Sequence, residues 1–311
     1  MDFLFKNCLF LAPMAGYSDA AYRYLLRKMG ADFAISEFVH SRAVLSRAEA
    51  ILDKIRISKD EAYCGIQIFG SEPSEMADCA SMIEEEFSPA FIDINFGCPA
   101  PSAIGCGAGS ALLKTPDKIL KILSTIHDKL KHTPLTAKMR IGYSQDEMLL
   151  PNFIKELNQS PISMLSIHGR TTAQGYKGDS NWQIIEETAS LATMPIIGNG
   201  SAQLLDENAI KNSHCFGFMI GRQALNDPWV FQRMKAKING ESFQEPQESA
   251  RLELAKEYLN YIEEHCPNSR SQYMHAKAQL LKFVRMSSGS KQIRIEIAKS
   301  KDFNDLKNIL L

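Results

Sequence analysis

The sequence predicts an α/β fold: a (β/α)8 TIM barrel followed by a smaller C-terminal helical domain. Three observations carry this: eight short β-rich segments, amphipathic stretches after nearly every one, and a C-terminal stretch with helical but no strand-like periodicity. The strands are expected at Cys8–Ala12, Asp32–Ser36, Cys64–Phe69, Phe91–Asn95, Leu135–Arg140, Met164–His168, Pro195–Gly198 and Phe216–Ile220. Helices are expected at Asp19–Met29, Ser74–Glu86, Pro116–Leu130, Asp146–Asn158, Trp182–Ala192 and Ala202–Asn212, with Asp19, Ser74 and Thr115 as N-caps. A further helix at Asp227–Ile238 precedes the polar segment Asn239–Ser249, which reads as a linker. The expected division is a barrel of residues 1–240 and a helical domain of 241–311, the latter marked by Leu254, Tyr258, Tyr261, Ile262, Leu280, Leu281, Val284 and Ile309 at helical spacing.

Composition narrows the class. With 311 residues and 45% hydrophobic content the chain can bury a large core. No apolar run approaches the ~18 residues of a membrane span, and Met1–Asn7 lack the charged start and long apolar stretch of a secretory leader. The cytoplasm is the expected compartment. The seven cysteines are odd in number and scattered, with no C-x-x-C pair, which speaks against a disulfide framework and against a zinc or iron–sulfur site. A net charge of −1 gives no bulk preference for nucleic acid. Between His265 and Lys301, however, Arg270, Lys277, Lys282, Arg285, Lys291, Arg294, Lys299 and Lys301 face a single acid, Glu296, and such an excess suits phosphates as well as it suits a solvated helical surface.

In a barrel of this kind the C-terminal ends of the strands form the active face. Those ends are polar here. Phe91-Ile-Asp-Ile-Asn-Phe-Gly-Cys-Pro-Ala-Pro101 carries a thiol, Cys98, just past a strand tip, with Pro99 and Pro101 restricting the backbone beyond it. Its thiol can act as a nucleophile or a general acid, or be an inert buried group. Cys106, on a glycine-rich loop nearby, is a second thiol to follow. Gln67, Asn95, Lys138, Arg140, His168 and Arg170 occupy other strand ends, and the first strand runs into Pro13, Met14 and Ala15. Lys138 suits either the stabilisation of negative charge on a reduced ring system or an internal ion pair. His168 is open between a functional and a structural role. The last two strands end in Gly198-Asn199-Gly200-Ser201 and Gly221-Arg222, where glycines let backbone N–H groups approach an anion. Together these turns point to a phosphate-bearing cofactor.

The ordered set Leu11-Ala-Pro-Met-Ala-Gly16, Gln67-Ile-Phe-Gly70, Asp93-Ile-Asn-Phe-Gly-Cys-Pro99, Lys138-Met-Arg140, His168-Gly-Arg-Thr171, Gly198-Asn-Gly200, Gly221-Arg222 and Asn226-Asp-Pro-Trp-Val-Phe231 resembles the tRNA-dihydrouridine synthases, nearest their bacterial B-type (DusB) branch. The resemblance spans nearly the whole chain. It implies FMN at the barrel mouth, contacted by Pro13, Met14, Ala15, Gln67, Lys138, His168, Asn199, Gly200, Ser201, Gly221 and Arg222, with NADPH, or NADH, as reductant. It implies reduction of a D-loop uridine of tRNA, with hydride passing from flavin to C6 and a proton from Cys98 to C5. It also implies base or nucleotide contacts from Asn95, Arg140 and Arg170, and a tRNA grip by Lys277, Lys282 and Arg285. No metal, membrane or protein partner is implied. Two positions depart from the family's pattern: no Lys or Arg lies between Pro99 and Lys114, and Ser201 stands where an acid is frequent.

Two other readings remain open at this point. One is an FMN barrel oxidoreductase acting on a free small molecule, of the dihydroorotate dehydrogenase kind, which would have no use for a basic helical appendage. The other is a catalytically inactive RNA-binding relative, against which the joint presence of Cys98, Lys138 and the phosphate turns argues.

Overall fold

The computed structural model describes residues 1, 4–58, 61–247, 249–265, 270–284 and 290–310. Nine strands form one sheet: β1 (Cys8–Leu11), β2 (Phe33–Ile35), β3 (Val39–His40), β4 (Cys64–Phe69), β5 (Phe91–Phe96), β6 (Leu135–Arg140), β7 (Met164–His168), β8 (Ile196–Asn199) and β9 (Gly217–Ile220). All pairings are parallel, β1 pairs with β9, and β2 pairs with β4, so the sheet closes on itself. β2 and β3 are two pieces of one barrel strand, both paired with β4 and separated by Ser36–Phe38. The molecule is therefore an eight-stranded TIM barrel. Every strand but the two-residue β3 is almost wholly buried, as expected for a parallel sheet covered by helices.

The expected strands all form. The helices depart from expectation where local chemistry opposes them. Asp19 is a true N-cap, accepting from the Tyr22 N–H at 2.8 Å. Ser74 is not, because the helix starts a residue earlier at Pro73, whose missing N–H suits the first position, and Glu72 precedes it without a side-chain cap. Thr115 holds the cap position of Pro116–His127 but turns its hydroxyl back to the Leu112 carbonyl. Of the stretch Asp146–Asn158 only Ile154–Leu157 is helical, since Pro151 supplies no N–H and restricts the residue before it. Ala202–Asn212 splits into a 3-10 turn, Ala202–Leu204, and the helix Glu207–Lys211, capped by Asp206 through the Ala209 N–H. After β9 the chain forms Arg222–Asn226 and then Val230–Asn239, which ends on Gly240 at φ +69°. Two helices that the sequence did not announce, Ser41–Leu45 and Glu49–Ile55, follow β3.

Residues 241–247 have no regular structure, and four helices follow: Ala250–His265, Arg270–Phe283, Ser290–Lys299 and Phe303–Leu310. Their apolar faces join the barrel's outer core. Leu254, Tyr258, Tyr261, Ile262, Leu280 and Phe283 belong to the same buried cluster as Tyr22, Leu25 and Leu26 of the first helix, Ala20–Lys28. Polar contacts fix this packing: Tyr258 donates to Asp19 at 2.9 Å, and Gln279 Nε2 donates to the Tyr17 carbonyl at 2.7 Å. Cys8, Cys64, Cys79, Cys98, Cys106 and Cys215 are free thiols, and no metal-holding group of His, Cys, Asp and Glu exists among the described residues. No described helix is long and apolar enough to cross a membrane.

Candidate active site

The C-terminal ends of the strands surround a cavity of about 360 Å3, within the range of small-molecule and cofactor sites. Its wall includes Pro13, Met14, Asn95, Cys98, Lys138, Arg140, His168, Arg170, Asn199, Gly200, Ser201, Gly221 and Arg222. The register explains the convergence. Asn95 lies opposite Lys138, Arg140 opposite His168, and His168 opposite Asn199, so alternate residues of four strands point into the barrel mouth. Of the residues expected here, Ala15 and Gln67 do not line the cavity. Gln67 is fully buried beneath it, between Asp93 and Asn95.

Cys98 sits in a built turn. Asn95 Oδ1 accepts from the N–H groups of Gly97 (3.0 Å) and Cys98 (2.8 Å), while the Cys98 carbonyl accepts from Ser110 through its N–H (3.1 Å) and Oγ (2.9 Å). Gly109, at φ +58°, lets the loop pass against this turn; a Cβ there would lie 2.9 Å from the Cys98 carbonyl oxygen. Cys98 is 8% exposed. Burial pushes its thiol above the ordinary value, against the opposing pull of the Ala100 backbone, Arg140 and Lys138, and the thiol is protonated at neutral pH. Cys106 is exposed at the end of the short helix Pro101–Gly105, outside the cavity wall.

The cavity is strongly cationic. Lys138, Arg140, Arg170 and Arg222 line it, and among the described residues no Asp or Glu does. Lys138 makes no hydrogen bond or ion pair among the described residues, so the internal ion pair left open by its sequence is absent there. Burial, helped by the Arg140 charge, pulls its pKa down to about 8. Arg140 is buried without a carboxylate: Nε donates to the Gly97 carbonyl at 2.8 Å, and Nη1 to the carbonyls of Thr171 (2.9 Å) and Gly175 (2.8 Å). Arg170 donates to the Gly178 carbonyl, to Ser201 Oγ at 3.2 Å, and to His168 Nε2 at 3.3 Å. That contact needs a lone pair on Nε2. Burial, reinforced by Lys138, Arg140, Arg170 and Arg222, holds the imidazole well below its ordinary pKa, so His168 is neutral and supplies it.

At the far side of the cavity, Gly200 adopts φ +111°, and a Cβ there would lie 2.0 Å from Ser180 Oγ. Among the described residues the N–H groups of Gly200, Ser201, Gly221 and Arg222 meet no backbone acceptor. Asn199 is anchored by donating to the Met219 carbonyl at 2.8 Å. Cations that outnumber the acids near them, beside backbone donors without a backbone acceptor, make an anion site, and a phosphate-bearing cofactor fits it. Tyr176, which sequence reasoning missed, hangs over this site with the Arg222 guanidinium 3.8 Å from its ring. Its loop is held by the carbonyl contacts of Arg140 and Arg170, a dependence with no periodic trace in the sequence.

Lys277 turns inward, donating to the Ser300 carbonyl (2.8 Å) and to Tyr273 (3.2 Å). Lys282 is half-buried on the same helix, Lys291, Arg294, Lys299 and Lys301 are exposed, and Arg285 lies outside the described residues.

A closed parallel barrel with its chemistry at the strand tips is the architecture of many oxidoreductases, and solved structures of that kind superpose on it. The old yellow enzyme from Trypanosoma cruzi does so with a TM-score of 0.52 at 10% identity, covering 78% of this chain and 91% of its own. At the level of sequence, the family model for dihydrouridine synthase (Dus) matches residues 10–310. A probable tRNA-dihydrouridine synthase of Aquifex aeolicus is 30% identical over 305 residues, covering 97% of this chain and 94% of that one. The tRNA-dihydrouridine synthase B of Proteus vulgaris is 34% identical over 232 residues, covering 74% and 71%. The chain belongs to the dihydrouridine synthase family and is an oxidoreductase.

Proposed function

We propose that this protein is a cytoplasmic tRNA-dihydrouridine synthase, using FMN and NADPH to reduce the C5–C6 double bond of a D-loop uridine. The observation that carries the reading is a buried, protonated thiol facing a cationic cavity whose described wall holds no carboxylate. FMN, when bound and reduced, supplies the hydride that goes to C6 of the uracil. The phosphate group would rest on Arg222 and the Gly200–Ser201 and Gly221–Arg222 turns, with Lys138 and His168 beside the ring and Gln67 bracing the floor.

Cys98 gives its proton to C5 and is left as a thiolate, which the nearby charges of Arg140 and Lys138 favour. Reprotonation from solvent restores it. Asn95 holds the thiol's turn, and Arg140 and Arg170 place positive charge where the nucleotide would enter. Tyr176, carried on the loop those two arginines fix, offers an aromatic face at the same entrance. The target uridine must leave its stack, which costs a few kcal/mol and is cheaper in a tRNA loop than in a duplex. The exposed cations of the C-terminal helices would bind tRNA phosphates, and the barrel of residues 1–240 would act with a helical RNA-binding segment of 241–311.

The test is to incubate FMN-loaded protein with NADPH and unmodified tRNA and measure dihydrouridine by nucleoside mass spectrometry. Product is expected, and Cys98→Ala should retain flavin while turnover falls about 100-fold or more. Reducible flavin with no product would return the small-molecule oxidoreductase to first place.

A further inference from the structure

Beneath the cavity runs a chain of buried hydrogen bonds that the reaction itself does not require. Thr136 Oγ1 donates to Asp93 Oδ1 at 2.6 Å, and Gln67 Nε2 donates to Asp93 Oδ2 at 2.6 Å. Asn95 Nδ2 then donates to Gln67 Oε1 at 2.7 Å, and Asn95 Oδ1 accepts from the Gly97 and Cys98 N–H groups. Asp93, Gln67 and Thr136 are 0% exposed, and Asn95, at the cavity wall, is 6% exposed.

We propose that Asp93 is a positioning residue for Cys98, acting through Gln67 and Asn95 as a directional relay of side-chain amides. A carboxamide has nearly the same shape either way round, and only its partners decide which end is oxygen. Here both ends of the relay have fixed polarity. The Asp93 carboxylate only accepts, and the backbone N–H groups of the cysteine turn only donate. Between them one arrangement satisfies every contact: Gln67 turns its NH2 to Asp93 and its oxygen to Asn95, and Asn95 turns its NH2 to Gln67 and its oxygen to the turn. Without Asp93, Gln67 Nε2 loses its acceptor, Gln67 Oε1 is no longer held under Asn95 Nδ2, and the side chain that accepts from the Gly97 and Cys98 N–H groups loses its own anchor. The turn then opens. The acceptor on Asp93 thus determines the position of a thiol three links away. Its relevance to catalysis rests on Cys98 being the proton donor, but the relay itself does not.

The experiment follows backbone hydrogen exchange at Gly97 and Cys98 in flavin-free full-length protein, with strand amides of β7 as reference. Alkylation of Cys98 relative to exposed Cys106 is measured on the same samples. Asp93→Ala should raise exchange at Gly97 and Cys98 about tenfold over the reference amides and raise the Cys98 to Cys106 alkylation ratio in step. Gln67→Met, which cuts the relay in the middle, should do the same, and the double variant should do no more than either single one. Asp93→Asn should restore values near the parent, because its oxygen can face Gln67 while the Thr136 hydroxyl rotates to accept from its NH2. A role in general barrel stability would move the reference amides equally and make the two substitutions additive. If Asp93→Ala does not fold, Gln67→Met and Asp93→Asn decide the matter. Unchanged exchange in Gln67→Met, or no recovery in Asp93→Asn, overturns the relay. Neither flavin, tRNA nor turnover enters the measurement, so an enzyme inactive for another reason leaves the relay standing.

Discussion

Burial moves two neighbouring charges in opposite directions, and each leaves a different mark on stability. Asp93 is pushed up to about 6, mainly by desolvation. The folded state therefore binds more protons than the unfolded chain between roughly pH 4 and 6, and stability falls as pH rises through that window. Lys138, pulled down to about 8, does the reverse: the unfolded chain holds the proton longer, so stability rises from about pH 8 to 10.5. Asp93→Asn should abolish the acid-side effect. Between pH 4 and 7 the parent should lose on the order of 3 kcal/mol relative to the variant, read by urea denaturation at several pH values. Parallel stability curves would show that Asp93 does not titrate in this range. At this scale the sequence was most legible where residue type clashed with location. A Lys, two Arg, a His and a Cys at the ends of apolar strands stood out as candidates for chemistry beside their structural readings, and all five line the cavity. Asp93 was hidden because it sits within a strand rather than at its tip, and Tyr176 because its place depends on guanidinium contacts from distant strands.

Strands were readable because a parallel barrel buries both faces and leaves continuous apolar runs. Helices were less so, since a short polar cap or a proline outweighs amphipathic spacing; Pro151 and Asp206 each shortened an expected helix. The break between β2 and β3 follows no pattern in the sequence, yet it frees Glu37 to accept from the Gly16 N–H at 2.6 Å and so steady the turn after β1. The turn after β8 is equally constrained. Gly200→Ala would drive a methyl against Ser180 Oγ and the His168 ring at a φ that an L-residue resists. We expect a loss of roughly 2 kcal/mol in stability and weaker FMN binding. Differential scanning calorimetry and fluorescence titration check the two parts, and a variant with unchanged Tm and flavin affinity would refute the packing argument.

Across the whole molecule, the C-terminal helices do more than present cations. Gln279 holds the Tyr17 carbonyl, and Tyr17 closes the Met14–Ser18 turn through its own N–H to the Met14 carbonyl at 3.0 Å. Gln279→Ala should therefore weaken FMN binding severalfold, although Gln279 lies outside the cavity wall; an unaltered titration would confine the helices to another role. Lys282→Ala should instead weaken tRNA binding and lower its salt slope by about 1, with flavin affinity untouched, as filter binding over a salt series would show. The irregular stretch 241–247 was visible as a polar run, but the shared core beyond it was not, because helical periodicity reveals that a face is apolar and not what covers it.

That shared core orders events during synthesis. The helix that carries Tyr22, Leu25 and Leu26 leaves the ribosome early, and Tyr258, Leu280 and Phe283, which share its buried cluster, come more than two hundred positions later. At about 5–20 residues per second that interval is on the order of tens of seconds, during which an apolar stripe and an unclosed barrel are both exposed. The first helix therefore completes its packing only after the last helices have emerged.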